Sequence, residues 1–387
     1  MKKNFAIRAL GICAIAGALS LTSCLSDGDD TIVLEQGNPT GIPDDSKASP
    51  NPEVDDPTAV LPNIQYTTQD EDGFTVMRVD MTGVQNPETY EWIRLIGTGG
   101  NKYGRQNVWV EVDGKPKGID VYNTIDDEGD REVLNDVVFL VDNSGSMSEE
   151  ANAIARDIIA WAQRLSATID VRFGCVGYDG DITGALDICS YEDMSLYLNR
   201  STGTSRTEGF GGANSSRLAS LAPAYSNHSS MDECGVAALR FADENFTFRS
   251  GANRVYVNFT DEPNFPNGRT GFSVEYLNSQ TNWPSWKGTV HTVYSDNPSF
   301  SETINYREWP WKMSTYTGGT TLYASSSFSG VSLDNLPVTG AMQNSYIIRF
   351  TNIKEYMDGQ PHEVRITVLS EDGKVSAEKI FYVVFGS

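Results

Sequence analysis

An α/β fold is what this sequence predicts: a doubly wound, mostly parallel sheet inserted in a β-sandwich formed by both flanking segments. Three observations carry the prediction. Val137-Val138-Phe139-Leu140-Val141 is apolar without alternation, the pattern of a strand buried on both faces. Between about 134 and 340, strand-like and helix-like stretches take turns, which builds a parallel sheet with helices on its faces. Strict alternation returns on either side, at 63–133 and 341–387, and neither flank alone carries enough strands for a comfortable sandwich.

At the start of the chain, Lys2 and Lys3 precede an apolar run from Ala9 to Leu21 that is too short to span a bilayer, so residues 1–23 read as a signal peptide. The run ends in Leu21-Thr22-Ser23-Cys24, which resembles a bacterial lipobox. That resemblance implies cleavage before Cys24, acylation of its thiol (palmitate among the expected lipids), and an exported protein anchored by lipid in the outer membrane or at the cell surface. Residues 24–62 are rich in Asp, Pro, Gly and Ser; so little apolar surface is expected to leave a disordered acidic tether. Acids outnumber bases by 52 to 29, a net charge of −23, which repels a phosphate backbone and excludes nucleic acid as a partner. The same balance suits cations.

In the first flank, Val108, Val110 and Val112 share one face while Trp109 and Glu111 take the other, and Asp113-Gly114 supplies a hairpin turn. The second flank repeats the pattern: Tyr346, Ile348 and Phe350, then Val364, Ile366 and Val368, then Asp372-Gly373 turning into Ile380–Phe385. Two separate small β modules are the alternative to one sandwich.

Within the centre, Ala151, Ile154, Ala155, Ile158, Ala162 and Leu165 recur at helical spacing. Strands follow at Val171–Tyr178 and Ile182–Cys189, joined by Asp179-Gly180-Asp181 as a hairpin. A helix is expected around Cys234–Phe241, a strand at Arg254–Phe259, a helix near Val274–Leu277 and a strand near Thr289–Tyr294. Trp283, Trp286, Trp309 and Trp311 flank Pro284 and Pro310; they form either a sugar-stacking surface or a packed domain edge.

The chemistry gathers where the first central strand stops. Asp142, Ser144 and Ser146 place three oxygen side chains at alternate positions around Gly145, a donor set for Mg²⁺ or a similar hard cation, with Mn²⁺ or Ca²⁺ as alternatives. Helix capping by the same Asp and Ser residues is the competing account. Asp261 ends a second strand in the same way. Open α/β sheets bind ligands at the carboxyl ends of their strands, so two such acids are expected to meet.

The stretch Asp142–Met147, with its strand and helix, resembles the first loop of the metal-ion-dependent adhesion site of von Willebrand factor type A domains, whose sheet is Rossmann-like. In those domains a middle loop supplies a threonine; in the related domain of integrin β subunits it supplies a glutamate just before a helix. Asp232-Glu233-Cys234-Gly235 resembles the second pattern, which implies Glu233 as a ligand, with Asp232 and Ser230 in reserve. Glu149 and Glu150 match a pair of acids that helps hold a second cation there, although acids also belong at a helix N-terminus on dipole grounds. The long Gly-, Ser-, Thr- and Asn-rich stretch from Asn199 to Ser230 matches the place of an insertion that contributes to ligand choice in integrin β subunits, with plain disorder as the alternative. The resemblance implies a cell-surface lipoprotein that binds a protein or glycan partner through an acidic group on a bound Mg²⁺. A structural or tip subunit of a surface appendage is the alternative, and a glycan-degrading enzyme the third.

No catalytic frame competes. His228, His291 and His362 stand apart from any H-E-x-x-H, no cysteines lie at zinc spacing, and Ser144 and Ser146 lack a G-x-S-x-G setting; the protein is expected not to be an enzyme. Cys175 and Cys189 are equidistant from Ile182, so a regular hairpin places them opposite each other, close enough for a disulfide, with simple burial as the alternative. Cys234 is left over.

Overall fold

The computed structural model describes residues 38–124, 133–147, 150–199, 210–213, 215–229, 232–295, 308–324 and 337–386. The signal peptide and Cys24 lie outside them. In chain order the first flank gives β1 (Ile64–Glu71), β2 (Phe74–Met81), β3 (Val108–Val112), β4 (Lys115–Pro116) and β5 (Ile119–Asn123). The centre gives β6 (Asn135–Asp142), α1 (Glu150–Ser166), β7 (Val171–Tyr178), β8 (Ile182–Cys189), α2 (Tyr191–Leu198), β9 (Gly212–Ala213), α3 (Ser216–Leu221), α4 (Gly235–Asn245), β10 (Asn253–Thr260), β11 (Thr289–Ser295), α5 (Trp311–Thr317), β12 (Thr321–Ala324) and α6 (Pro337–Gln343). The second flank gives β13 (Tyr346–Phe350), β14 (His362–Leu369) and β15 (Ser376–Val383).

All eight residues of β6 are buried, and their alternation divides two cores. Val137, Phe139 and Val141 point to the α1 side, where Phe139 meets Trp161 edge-on at 5.7 Å and Ile154 and Ile158 close the layer. Val138 and Leu140 point to the α4 side, against Val236, Leu239 and Phe241. Helices therefore cover both faces of a sheet whose order is β12-β11-β10-β6-β7-β8-β9. Every pairing in it is parallel except the hairpin of β7 with β8. This is the mixed, mostly parallel α/β architecture that the unbroken apolar strands predict.

The flanks form two antiparallel sheets of four strands, ordered β1-β2-β13-β5 and β15-β14-β3-β4. Each takes strands from both sides of the centre, and Met77, Val79, Val110, Ile348, Val364 and Ile366 share one core between them. At Asp113 (φ 48°) and Gly114 (φ 73°) both central residues of the β3–β4 turn are left-handed, the conformation that a two-residue hairpin demands and that Asp-Gly tolerates.

Three expectations need correction. The tether expected over 24–62 is ordered in its second part: Ile42 and Leu61 are buried, Asp45 accepts from Gly118 N at 2.9 Å, and Asn51 N donates to Glu111 at 2.8 Å. Composition misled because these polar side chains satisfy the sheets' own backbone and side-chain groups, which stands in for apolar burial. The Cys175–Cys189 disulfide is absent; all three cysteines of the described residues are thiols. The hairpin closes with Tyr178 opposite Ile182, and two register shifts then bring Leu186 opposite Cys175 and Phe173 opposite Cys189. Cys189 donates instead to Phe173 O at 3.3 Å. The helix near Val274 is a short 3-10 turn, Val274–Asn278. Trp283, for its part, is buried against Tyr256 at 5.9 Å with its Nε1 donating to Gly288 O.

Candidate metal centre

β6 and β10 run parallel and adjacent, with Phe259 level with Val141, so both strands deliver their terminal acids to one edge of the sheet. Asp142 is fully buried. Its Oδ1 accepts from Ser144 N at 2.9 Å and its Oδ2 from Thr260 Oγ1 at 2.8 Å. Ser144 Oγ and Ser146 Oγ are 2.9 Å apart, and Ser146 Oγ donates to Asp261 Oδ1 at 3.1 Å. The two loops are thus laced by hydroxyls. Asp142 does not cap α1, which begins only at Glu150; its carboxylate holds the turn of its own loop.

Burial first, and then the charge of Asp261, pushes the Asp142 carboxyl up to about 7, against the lowering hydrogen bonds from Ser144 and Thr260. Among the described residues no ion pair involves Asp142. A buried carboxylate facing a second one is electrostatically costly, and a divalent cation is the general remedy.

Glu233 enters from the start of α4. It is buried, and its Oε2 has no hydrogen-bond partner among the described residues. Burial raises its carboxyl well above the usual range, helped by the adjacent Glu262 and by Asp142. Both Glu262 and Asp142 act on its charge. Among the described residues no group of three or more His, Cys, Asp or Glu side chains is close enough to hold an ion; the compact donors around Asp142 are two carboxylates and two serine hydroxyls. Asp232 is occupied by Ser229, whose Oγ donates to it at 2.7 Å. Ser230 and Glu149 lie outside the described residues, as does the side chain of Glu150.

No protein-family model matches the chain, and no curated protein matches its sequence. Solved structures match it in part. An aerotolerance-related membrane protein from Bacteroides fragilis is 17% identical over 50% of this chain and 94% of that one, with a TM-score of 0.31. The vWF domain of the type V pili tip protein Mfa5 from Porphyromonas gingivalis is 18% identical over 46% of this chain and 57% of that one, with a TM-score of 0.21. Proximal thread matrix protein 1 from the mussel byssus is 14% identical over 54% and 48%, with a TM-score of 0.31.

Sequence reasoning missed two residues that build the site. Thr260 carries the hydroxyl that fixes Asp142 Oδ2, and it also accepts from Glu262 N at 3.1 Å; its place immediately before the second acid was the available signal. Asn227 is fully buried and gathers the middle loop. It accepts from Ser229 N and donates to Asp232 O and Phe265 O, at 2.8, 2.9 and 3.0 Å. No sequence pattern marks it, because it ties its own loop to the loop after β10, 38 positions further on.

Proposed function

We propose that this chain is a lipid-anchored, exported binding protein whose central unit is a von Willebrand type A domain inserted in a β-sandwich, and that it captures a protein or glycan partner through a divalent cation. One observation carries the reading: Asp142 and Asp261, buried at the ends of adjacent parallel strands and laced through Ser146 and Thr260. Asp142, Ser144, Ser146 and Asp261 are the residues that would hold Mg²⁺, with Glu233 as the adjacent acid. The residues fit: every donor is oxygen, the class hard cations prefer, and two buried carboxylates face each other, a repulsion that a cation relieves. The bound cation would supply a Lewis-acid contact for an acidic group on the partner. The chain's own residues set the protein side of that contact. Ser144 N and Thr260 Oγ1 fix both oxygens of Asp142, so its carboxylate is preorganised before any ion arrives.

The deciding experiment is partner capture from intact target cells by the acylated protein, with and without chelator, beside an Asp142→Asn variant. Capture that needs Mg²⁺ and Asp142 supports the reading. Capture indifferent to both overturns it in favour of an appendage subunit assembled through its sheets.

A further inference from the structure

Away from the acids, a cavity of about 420 Å³ opens between the first flank and the β11–α5–β12 edge of the central sheet. Its size falls in the ~300–1,000 Å³ range of small-ligand sites. In a chain of net charge −23, no Asp, Glu, Lys or Arg lines it among the described residues. What lines it instead is uncharged and more apolar than polar: Val60, Pro62, Val84 and Pro87 stand among threonine hydroxyls, Gln85 and His291, with two aromatic rings, Tyr90 and Trp92.

Two buried polar atoms on residues of this lining have no partner among the described residues: Thr82 Oγ1 and His291 Nε2. Thr82 is 3% exposed and His291 5%. The tautomer of His291 follows from its other nitrogen. Thr320 N donates to Nδ1 at 3.2 Å, and an amide only donates, so Nδ1 is the acceptor and the ring proton sits on Nε2. Burial pulls the His291 imidazole down to about 3, so it stays neutral at physiological pH. The cavity therefore holds one fixed donor, His291 Nε2–H, and one hydroxyl able to donate or accept. Buried groups left in this way are costly unless something comes to meet them.

The rim is shaped as well. Gln85 bridges to Trp92, closing a tight loop in which Tyr90 adopts φ 60°, a conformation unusual for a bulky residue and one that concentrates at functional sites. Gln85 Nε2 donates to Tyr90 O at 2.7 Å and holds that turn, while the Tyr90 ring stands 71% exposed. Trp92 is seated against Gly83 and Gly340, where an added Cβ would come within 2.8 and 2.5 Å of the indole; the two glycines leave room for the ring and fix its pose.

We propose that this cavity binds a neutral saccharide. Pyranose rings present C–H faces that pack on aromatic rings and hydroxyls that both donate and accept, and they carry no charge. An apolar ligand leaves Thr82 Oγ1 and His291 Nε2 unpaired, and an ionic one finds no counter-charge. The site is separate from the acids of β6 and β10 and needs no metal.

The test is saturation-transfer NMR and calorimetry on the full chain in EDTA, with glucose, galactose, mannose, N-acetylglucosamine and their common disaccharides. At least one sugar is expected to bind. Tyr90→Ala and Thr82→Val should each weaken it about fivefold or more, while Asp142→Asn leaves it unchanged. Thr82→Val should also raise the melting temperature of the sugar-free protein, because it deletes an unpaired buried hydroxyl. The proposal is overturned if no sugar of the panel binds, if either cavity variant binds as the parent does, if binding disappears in EDTA or in Asp142→Asn, or if Thr82→Val lowers the melting temperature.

Discussion

Ser146 Oγ donates to Asp261 Oδ1 at 3.1 Å across 115 positions of sequence. The contact joins the loop after β6 to the loop after β10, and Thr260 repeats the junction from the other side through Asp142. A pair of buried acids held this firmly cannot separate to relieve its repulsion. The protein must keep a proton there or take a cation.

The first prediction follows from that choice. Asp142→Asn keeps an oxygen for Ser144 N and removes the charge. Mg²⁺ affinity should fall by about tenfold or more, and in chelator the variant should melt above the parent at pH 8, because a buried charge has been deleted without a cavity. Mg²⁺ should raise the melting temperature of the parent alone, by linkage. Calorimetric titration and thermal melts check both; equal Mg²⁺ binding in parent and variant refutes the metal assignment.

The second concerns pH in chelator. The folded Asp142 carboxyl titrates at about 7, above its ordinary value of 3.8. Between those values the folded state binds more protons than the unfolded one, so the contribution of Asp142 to stability falls as pH rises through the window. The limiting slope is about 1.4 kcal/mol per pH unit for one proton. Urea midpoints measured from pH 4 to 8 should decline in the parent and decline less in Asp142→Asn. Parallel curves would show that Asp142 is ionised throughout.

What the sequence made legible, and what it did not, divides along a physical line. The ends of β7 and β8 fall where the residues indicate, and Asp142 and Asp261 stand out because each terminates an apolar run that only burial explains. The same reading gave the wrong partner to Cys175, since a bulge moves register without leaving a mark in residue type. The ordering of 38–62 was hidden for a related reason: Asp45 and Asn51 are fixed by Gly118 N and Glu111, contacts that composition does not record. Thr82 and His291 were invisible as a pair, because the cavity exists only once the flank and the central sheet meet.

A third prediction tests the corrected hairpin. Cys175 and Cys234 are buried, and burial pushes the Cys189 thiol up to about 12. At pH 8 little thiolate forms, so native protein should react slowly with iodoacetamide at all three and release no linked Cys175–Cys189 peptide without reductant. Unfolding in urea should make the three thiols react at ordinary rates. A linked peptide pair from native protein would place the two strands in the symmetric register instead.

The last prediction concerns how the flank is fastened to the centre. Lys379, on β15, is buried, and its Nζ donates to Leu61 O, Pro62 O and Asn63 Oδ1 at 2.8, 2.9 and 2.6 Å. Three donors thus meet three acceptors. The segment so held continues directly into the central sheet, because Asn63 N donates to Thr289 Oγ1 at 2.9 Å and Asn63 Nδ2 to Gly288 O at 2.7 Å. Lys379→Met conserves most of the side chain's volume and removes every donor, leaving buried acceptors unpaired at roughly 1–3 kcal/mol for each that water cannot reach. A loss of about 2–5 kcal/mol is therefore expected in urea unfolding, the upper end requiring that no water enters. Hydrogen exchange separates this from a general loosening: the Asn63 amide should exchange faster in the variant at denaturant concentrations where Val138 and Val257, deep in the central sheet, keep their protection. If the Asn63 amide is as protected as before, the lysine does not fasten the two parts and the segment is held by Leu61 packing alone.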